Sequence, residues 1–128
     1  MRLLLDTHIL LWAAMEPERL PSHLRALLED ADNILLVSAA SAFEIATKHR
    51  LGKLPGATQL LAQYSYVLRE LVATELPITT AHALKAGSWN TPHRDPFDRM
   101  LAAQASMEQV PLVSTDAVMP AFGIDVLA

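Results

Sequence analysis

The run Ile34-Leu35-Leu36-Val37 constrains the fold more than any other feature of this chain, because four apolar residues follow one another without a polar break. A strand with one wet face alternates apolar and polar residues. An unbroken apolar run of strand length suits a strand covered on both faces, as in a parallel sheet. Residues 2–5, with Leu3-Leu4-Leu5, read as a second such strand, and Val110 to Val113 as another. Ile124-Asp125-Val126-Leu127 reads as the last. Glu75-Leu76-Pro77-Ile78 reads as a short strand near a sheet edge, since Pro77 cannot donate to a ladder.

Helical patterns lie between these runs. Thr7 to Ala14 follows the first strand directly, and Pro21-Ser22 opens a helix carrying Leu24, Leu27, Leu28 and Ala31. Ser38 or Ser41 can cap a helix with Phe43, Ile45 and Ala46 that ends near Leu51-Gly52, where Gly52 suits a left-handed position. Leu60, Leu61, Tyr64, Val67, Leu68 and Leu71 form one long amphipathic stripe after the Pro55-Gly56 turn. Thr79 or Thr80 can cap a helix through Lys85, and Asp95-Pro96 has the N-cap and first-turn residues of a helix reaching about Gln109. Strands alternating with helices predict an α/β fold whose mostly parallel central sheet has helices on both faces.

Four acids fall at comparable places in this alternation. Asp6 closes the first strand, Glu44 sits early in a helix, Asp98 begins another, and Asp116 follows Leu112-Val113. Each has a local explanation: Asp6 as a helix cap, Glu44 paired with Lys48, Asp98 against a helix dipole, Asp116 in a turn. Their recurrence at one edge of a parallel sheet is better accounted for by a shared site, since such sheets place sites at the carboxyl ends of their strands. Carboxylates gathered there repel one another unless a cation neutralises them, and Mg²⁺ or Mn²⁺ is the hard cation that oxygen ligands suit.

Other residues fill out the expectation. Asp95 reads as an N-cap that shares a helix face with Asp98, leaving a supporting role open, and Arg99 is placed to pair with it. Thr7 and Thr115 adjoin candidate ligands and can orient a carboxylate or bound water, with capping as the competing role. Lys48, Arg94 and Arg99 are candidate phosphate contacts. His8, His49 and His93 lack zinc-site spacing and read as surface or packing groups. Trp12 and the methionines read as core or interface residues.

Length and composition set the outer bounds. At 128 residues the chain is expected to be one domain, and 52 % apolar against 19 % charged residues excludes disorder. It has no cysteine, hence neither disulfides nor thiolate metal sites. No signal peptide is evident, and no apolar stretch approaches the roughly 18 residues of a membrane helix. The expected location is the cytoplasm. A net charge of −4 disfavours a nucleic-acid partner, although bound cations would offset the acids and Lys48-His49-Arg50, Lys53 and His93-Arg94 form local basic clusters.

The chain resembles the PIN-domain family, and within it the VapC-type toxin ribonucleases. The resemblance rests on Leu4-Leu5-Asp6-Thr7-His8, Val37-Ser38-Ala39-Ala40-Ser41 with Phe43-Glu44-Ile45-Ala46, and Lys48 with Leu51-Gly52-Lys53-Leu54. It continues through His93-Arg94-Asp95-Pro96-Phe97-Asp98-Arg99 to Ala105 and Leu112-Val113-Ser114-Thr115-Asp116, spanning nearly the whole chain. It implies a three-layer α/β sandwich over residues 1–128 and a Mg²⁺- or Mn²⁺-dependent endoribonuclease of a prokaryotic cytoplasm. The family's acidic quartet falls on Asp6, Glu44, Asp98 and Asp116, with Thr7, Asp95 and Thr115 in support. It further implies an antitoxin partner encoded by an adjacent gene and a homodimer. A haloacid-dehalogenase-type phosphatase also starts strand-then-Asp, but it needs a second acid where this chain has His8. A receiver-type signalling domain needs paired acids after the first strand, which are missing.

Overall fold

The structure is a computed structural model that describes residues 1–128. Its centre is the pairing of β1 (Arg2–Leu5) with β2 (Ile34–Ser38), parallel, with Leu3 opposite Leu35 and Leu4 opposite Leu36. With β3 (Ala73–Leu76), β4 (Leu112–Val113) and β5 (Val126–Leu127) they make one five-stranded sheet in the order β3-β2-β1-β4-β5. Every pairing is parallel.

The apolar runs work as a two-faced strand requires. Leu3, Leu5, Leu35 and Val37 enter one apolar cluster, while Leu4, Leu36 and Leu112 enter a second on the opposite face. The first is covered by α1 (Thr7–Met15), α2 (Ser22–Glu29), α3 (Ala39–Arg50), α4 (Thr58–Ala62) and α5 (Tyr64–Glu70), which bring Ile9, Leu10, Leu24, Ile45, Leu60 and Leu68. The second is covered by α7 (Pro96–Glu108), through Leu101, Ala102 and Ala105, and α6 (Thr80–Ser88) packs against α7. The result is the three-layer α/β sandwich. No helix is long and apolar enough to cross a membrane.

Helix ends follow local chemistry. Ser38 caps α3 by accepting from the Ala40 N–H at 2.9 Å. At the other end Gly52 has φ +78°, its N–H donates to the His49 carbonyl and the Lys53 N–H to that of Lys48. This pair of bonds closes the helix in the way a left-handed glycine allows. Thr79 caps α6 in a reciprocal box with His82.

Four elements differ from expectation. The 60–71 stripe is two helices broken at Gln63, whose ψ of 30° leaves the helical range. Leu60 and Leu68 still reach the same cluster, so the apolar spacing does not register the break. β3 spans Ala73–Leu76 rather than 75–78, ending where Pro77 removes the next donor, and it is an edge strand as anticipated. β4 and β5 shorten to two residues each.

Candidate active site

From β1 the chain steps to β2 and then β3 on one side, and from β4 it steps to β5 on the other. The strands whose connections diverge are β1 and β4, and a crevice at their carboxyl ends is where open parallel sheets bind ligands. Asp6 lies just past the end of β1 and Asp116 just past β4.

Asp6 is 4 % exposed and makes no side-chain cap bond to α1, so the capping explanation fails for it. Its Oδ2 instead accepts the Ser114 hydroxyl at 2.5 Å. The same Ser114 oxygen accepts the Asp116 N–H at 3.0 Å, joining the ends of β1 and β4 through one hydroxyl. Burial pushes the Asp6 carboxyl above its usual range; the Ser114 bond and the nearby His8 pull it down, and Glu44 pushes it up.

Glu44 is also 4 % exposed, although it sits on a helix. Lys48, one turn on, donates to its Oε2 at 2.5 Å. Burial alone would lower the Lys48 ammonium, but the Glu44 bond and charge, with Asp95 and Asp98 beyond, hold it above its ordinary value. Lys48 thus faces three acids from two helices.

Asp98 enters from the first turn of α7 and accepts from or donates to His93 Nε2 at 2.8 Å, according to their protonation. Burial pushes its carboxyl up to about 6; the His93 bond opposes this, while the like charges of Asp95 and Asp6 add to it. Asp95 is the N-cap that its place before Pro96 predicts, accepting from the Phe97 and Asp98 N–H groups at 2.8 and 3.1 Å. It therefore aims Asp98 by fixing where α7 begins.

Asp116 is exposed, and its Oδ1 accepts the Val118 N–H at 3.1 Å, so the turn role is real. It also lines a cleft of about 220 Å³ with Asp6, His8, Trp12 and Thr115. Asp6 is thus the common member, coupled to Glu44 and Asp98 on one side and sharing a cleft with Asp116 on the other. Each acid has a separate protein partner, and no three Asp, Glu or His side chains close to the spacing of a formed ion cage. The donor set is all carboxylate oxygen, which fits Mg²⁺ or Mn²⁺. Burial is the main reason the Asp6 and Asp98 carboxyls are raised, and the charges of neighbouring acids add to it.

The supporting residues divide. Thr7 bonds Ser41 at 2.9 Å, both buried, so it ties α1 to α3 and leaves Asp6 and Glu44 to other partners. Thr115 is exposed in the Asp116 cleft, and Arg94 is exposed beside Asp95. Arg99 requires correction both as a phosphate contact and as an Asp95 partner. Its guanidinium binds the carbonyls of Ala86, Trp89, Thr91 and His93 at 2.5–3.2 Å, which occupies the guanidinium on backbone acceptors. His93, expected only to pack or sit on the surface, is a direct partner of Asp98. Ser114 lies within one of the blocks that carry the family resemblance, but there the expectation falls on the neighbouring Thr115.

The PIN-domain family model matches residues 3–124. Ribonuclease VapC16 of Mycobacterium tuberculosis (strain ATCC 25618 / H37Rv) is 39 % identical over 70 residues, covering 52 % of this chain and 50 % of that protein. The chain thus spans about half the length of the curated relative it matches. A crystal structure of VapBC2 from Rickettsia felis, bound to a DNA fragment from their promoter, superposes with a TM-score of 0.68 at 16 % identity. That match covers 99 % of this chain and 98 % of the other, and at such identity it speaks for the fold.

Proposed function

The chain belongs to the PIN-domain family, and from that premise we propose that it is a metal-dependent endoribonuclease acting as the toxin of a toxin–antitoxin pair. One observation carries the catalytic part: Asp6, Glu44 and Asp98 come from three distant segments, are largely withdrawn from water, and are electrostatically coupled at the switch point of the sheet. A fold gains nothing in stability by assembling buried like charges, so the cluster is best explained by a cation it serves.

Asp6, Glu44, Asp98 and Asp116 would hold Mg²⁺ or Mn²⁺, which supplies an activated water and offsets charge on the phosphate. The remaining residues prepare the acids. Ser114 orients the Asp6 carboxylate and couples it to the Asp116 backbone. The Thr7–Ser41 bond keeps the starts of α1 and α3 in fixed relation, and hence Asp6 beside Glu44. His93 holds one oxygen of Asp98. Lys48 and Arg94 are the free or partly free cations on this side that can meet RNA phosphates.

The toxin part is supported by the named relatives, a ribonuclease VapC16 and a VapBC2 assembly. An antitoxin encoded by an adjacent gene would inhibit the chain, which would itself dimerise. An apolar groove of about 390 Å³ whose lining includes Leu20, Leu28, Leu71 and Val72 lies among the helices between Pro17 and Leu71 and offers a surface for such contacts. The test is incubation of purified chain with total RNA. Cleavage should require Mg²⁺ or Mn²⁺, stop with EDTA and resume on adding the ion back. Undiminished cleavage in chelator, or none with any divalent ion, refutes the nuclease. Expression alone should slow growth and the neighbouring gene should relieve it; a folded, active but harmless chain would leave a PIN nuclease that is not a toxin.

A further inference from the structure

Each of the two helical acids of the site is preceded by a phenylalanine: Phe43 before Glu44 and Phe97 before Asp98. The two rings meet edge to face, with centroids 5.5 Å apart and planes at 89°. Neither belongs to either apolar cluster, whereas Phe122, the third phenylalanine of the chain, is buried in one of them. Phe43 is 67 % exposed. A large ring left in water, braced by a second ring and attached to the residue before a buried acid, does not serve the core.

Position and charge identify what would cover it. The neighbouring acids are those that would hold the cation facing a scissile phosphate; Lys48 bonds one of them, and the exposed Arg94 lies four residues before the other in sequence. A ligand with a phosphate at the acids presents its next group near the rings. In single-stranded RNA that group is an unstacked base, whose flat face pairs with an aromatic side chain whatever its sequence. In a duplex the base is stacked and paired, and its face is withheld.

We propose that Phe43, buttressed edge-on by Phe97, stacks an unpaired base of single-stranded RNA beside the phosphate to be cut. This deepens the ribonuclease reading and rests on it. One nucleotide next to the cut therefore contributes through its base rather than its backbone.

The test uses the full chain and a short single-stranded RNA spanning a mapped cut. Phe43→Ala should lower kcat/KM by roughly 5- to 100-fold, the range of a lost base–aromatic stack, and Phe43→Trp should retain it. The same RNA with an abasic nucleotide at each flanking position in turn provides the sharper readout. At one position, loss of the base should slow the wild type by a similar factor and slow Phe43→Ala no further. A general structural defect would instead be additive with every abasic site, and that result overturns the proposal. So does unchanged cleavage by Phe43→Ala, including the case in which that variant fails only to bind the neighbouring gene's product; the ring would then belong to a protein contact. If the wild type cleaves RNA in these last cases, the ribonuclease reading stands alone. If it cleaves none with any divalent ion, both fall.

Discussion

α3 and α7 each bring one acid toward Asp6, but they hold it in opposite ways. Glu44 lies in the second turn of its helix, nearly sealed from water, and is answered by an ammonium one turn along the same helix. Asp98 lies in the first turn, and its partner His93 comes from the loop before the helix. One acid carries a permanent counterion, built in by i,i+4 spacing. The other depends on a loop and on a group whose charge is conditional. Burial pushes Asp98 up to about 6, a cost that a cation bound beside it would relieve.

The contrast vanishes first in catalysis. Glu44→Gln and Asp98→Asn should each reduce turnover by roughly 10²- to 10³-fold, as when a group that stabilises transition-state charge is removed. Circular dichroism should show both folded. An Asp98→Asn enzyme with near-normal turnover would mean that only the α3 acid is needed.

The next effect separates the two helices. Asp98 has a folded value raised from 3.8 to about 6, so the stability it contributes is complete at low pH and is lost as pH rises through 6. In chelator, melting curves between pH 4 and 7 should lose about 1–3 kcal/mol from this source, since a tenfold change in proton affinity is worth about 1.36 kcal/mol. Asp98→Asn should remove most of that slope and be the more stable protein at pH 7. An unaltered slope would show that the carboxyl is better solvated than its 15 % side-chain exposure implies.

Smaller still is the loss of the α3 counterion. Lys48→Met leaves Glu44 buried and alone and should cost about 1–2 kcal/mol, less than for a fully buried pair because a third of Lys48 reaches water. Mn²⁺ should restore more melting temperature to this variant than to the wild type. The least effect belongs to the α7 cap. Asp95→Asn should change stability by under about 0.5 kcal/mol, since asparagine caps as well as aspartate, whereas Asp95→Ala should cost about 1 kcal/mol. A loss of activity in Asp95→Asn equal to that in Asp98→Asn would make Asp95 a ligand rather than a cap.

Whatever is periodic or local in this chain is legible in its sequence. Ile34–Val37 and Leu3–Leu5 announce a two-faced strand because burial on both sides leaves no room for polar alternation. Asp95-Pro96, Gly52 and Pro77 announce a helix start, a helix end and an edge strand because each acts on its own backbone. The four acids are visible because topology carries strand ends and the early turns of helices to one edge. Ser114 is not, because it meets Asp6 across 108 residues and nothing near it in sequence signals the contact. His93 escapes notice for a related reason: it lies in a loop, where side-chain direction has no period. Gln63 breaks a stripe whose spacing remains helical on both sides.

The Arg99 guanidinium ties a carbonyl oxygen near the end of α6 to three from the segment between α6 and α7. Those ligands are main-chain atoms, which every amino acid possesses. The connection is therefore indifferent to most substitutions at residues 90–92 but intolerant of altered length, since one inserted residue shifts a carbonyl out of reach and His93 with it. Relatives that keep an arginine at this position can diverge freely in the spelling of this loop while conserving its count, and a chimera that exchanges the loop will preserve the Asp98 pairing only when the donor segment has the same number of residues.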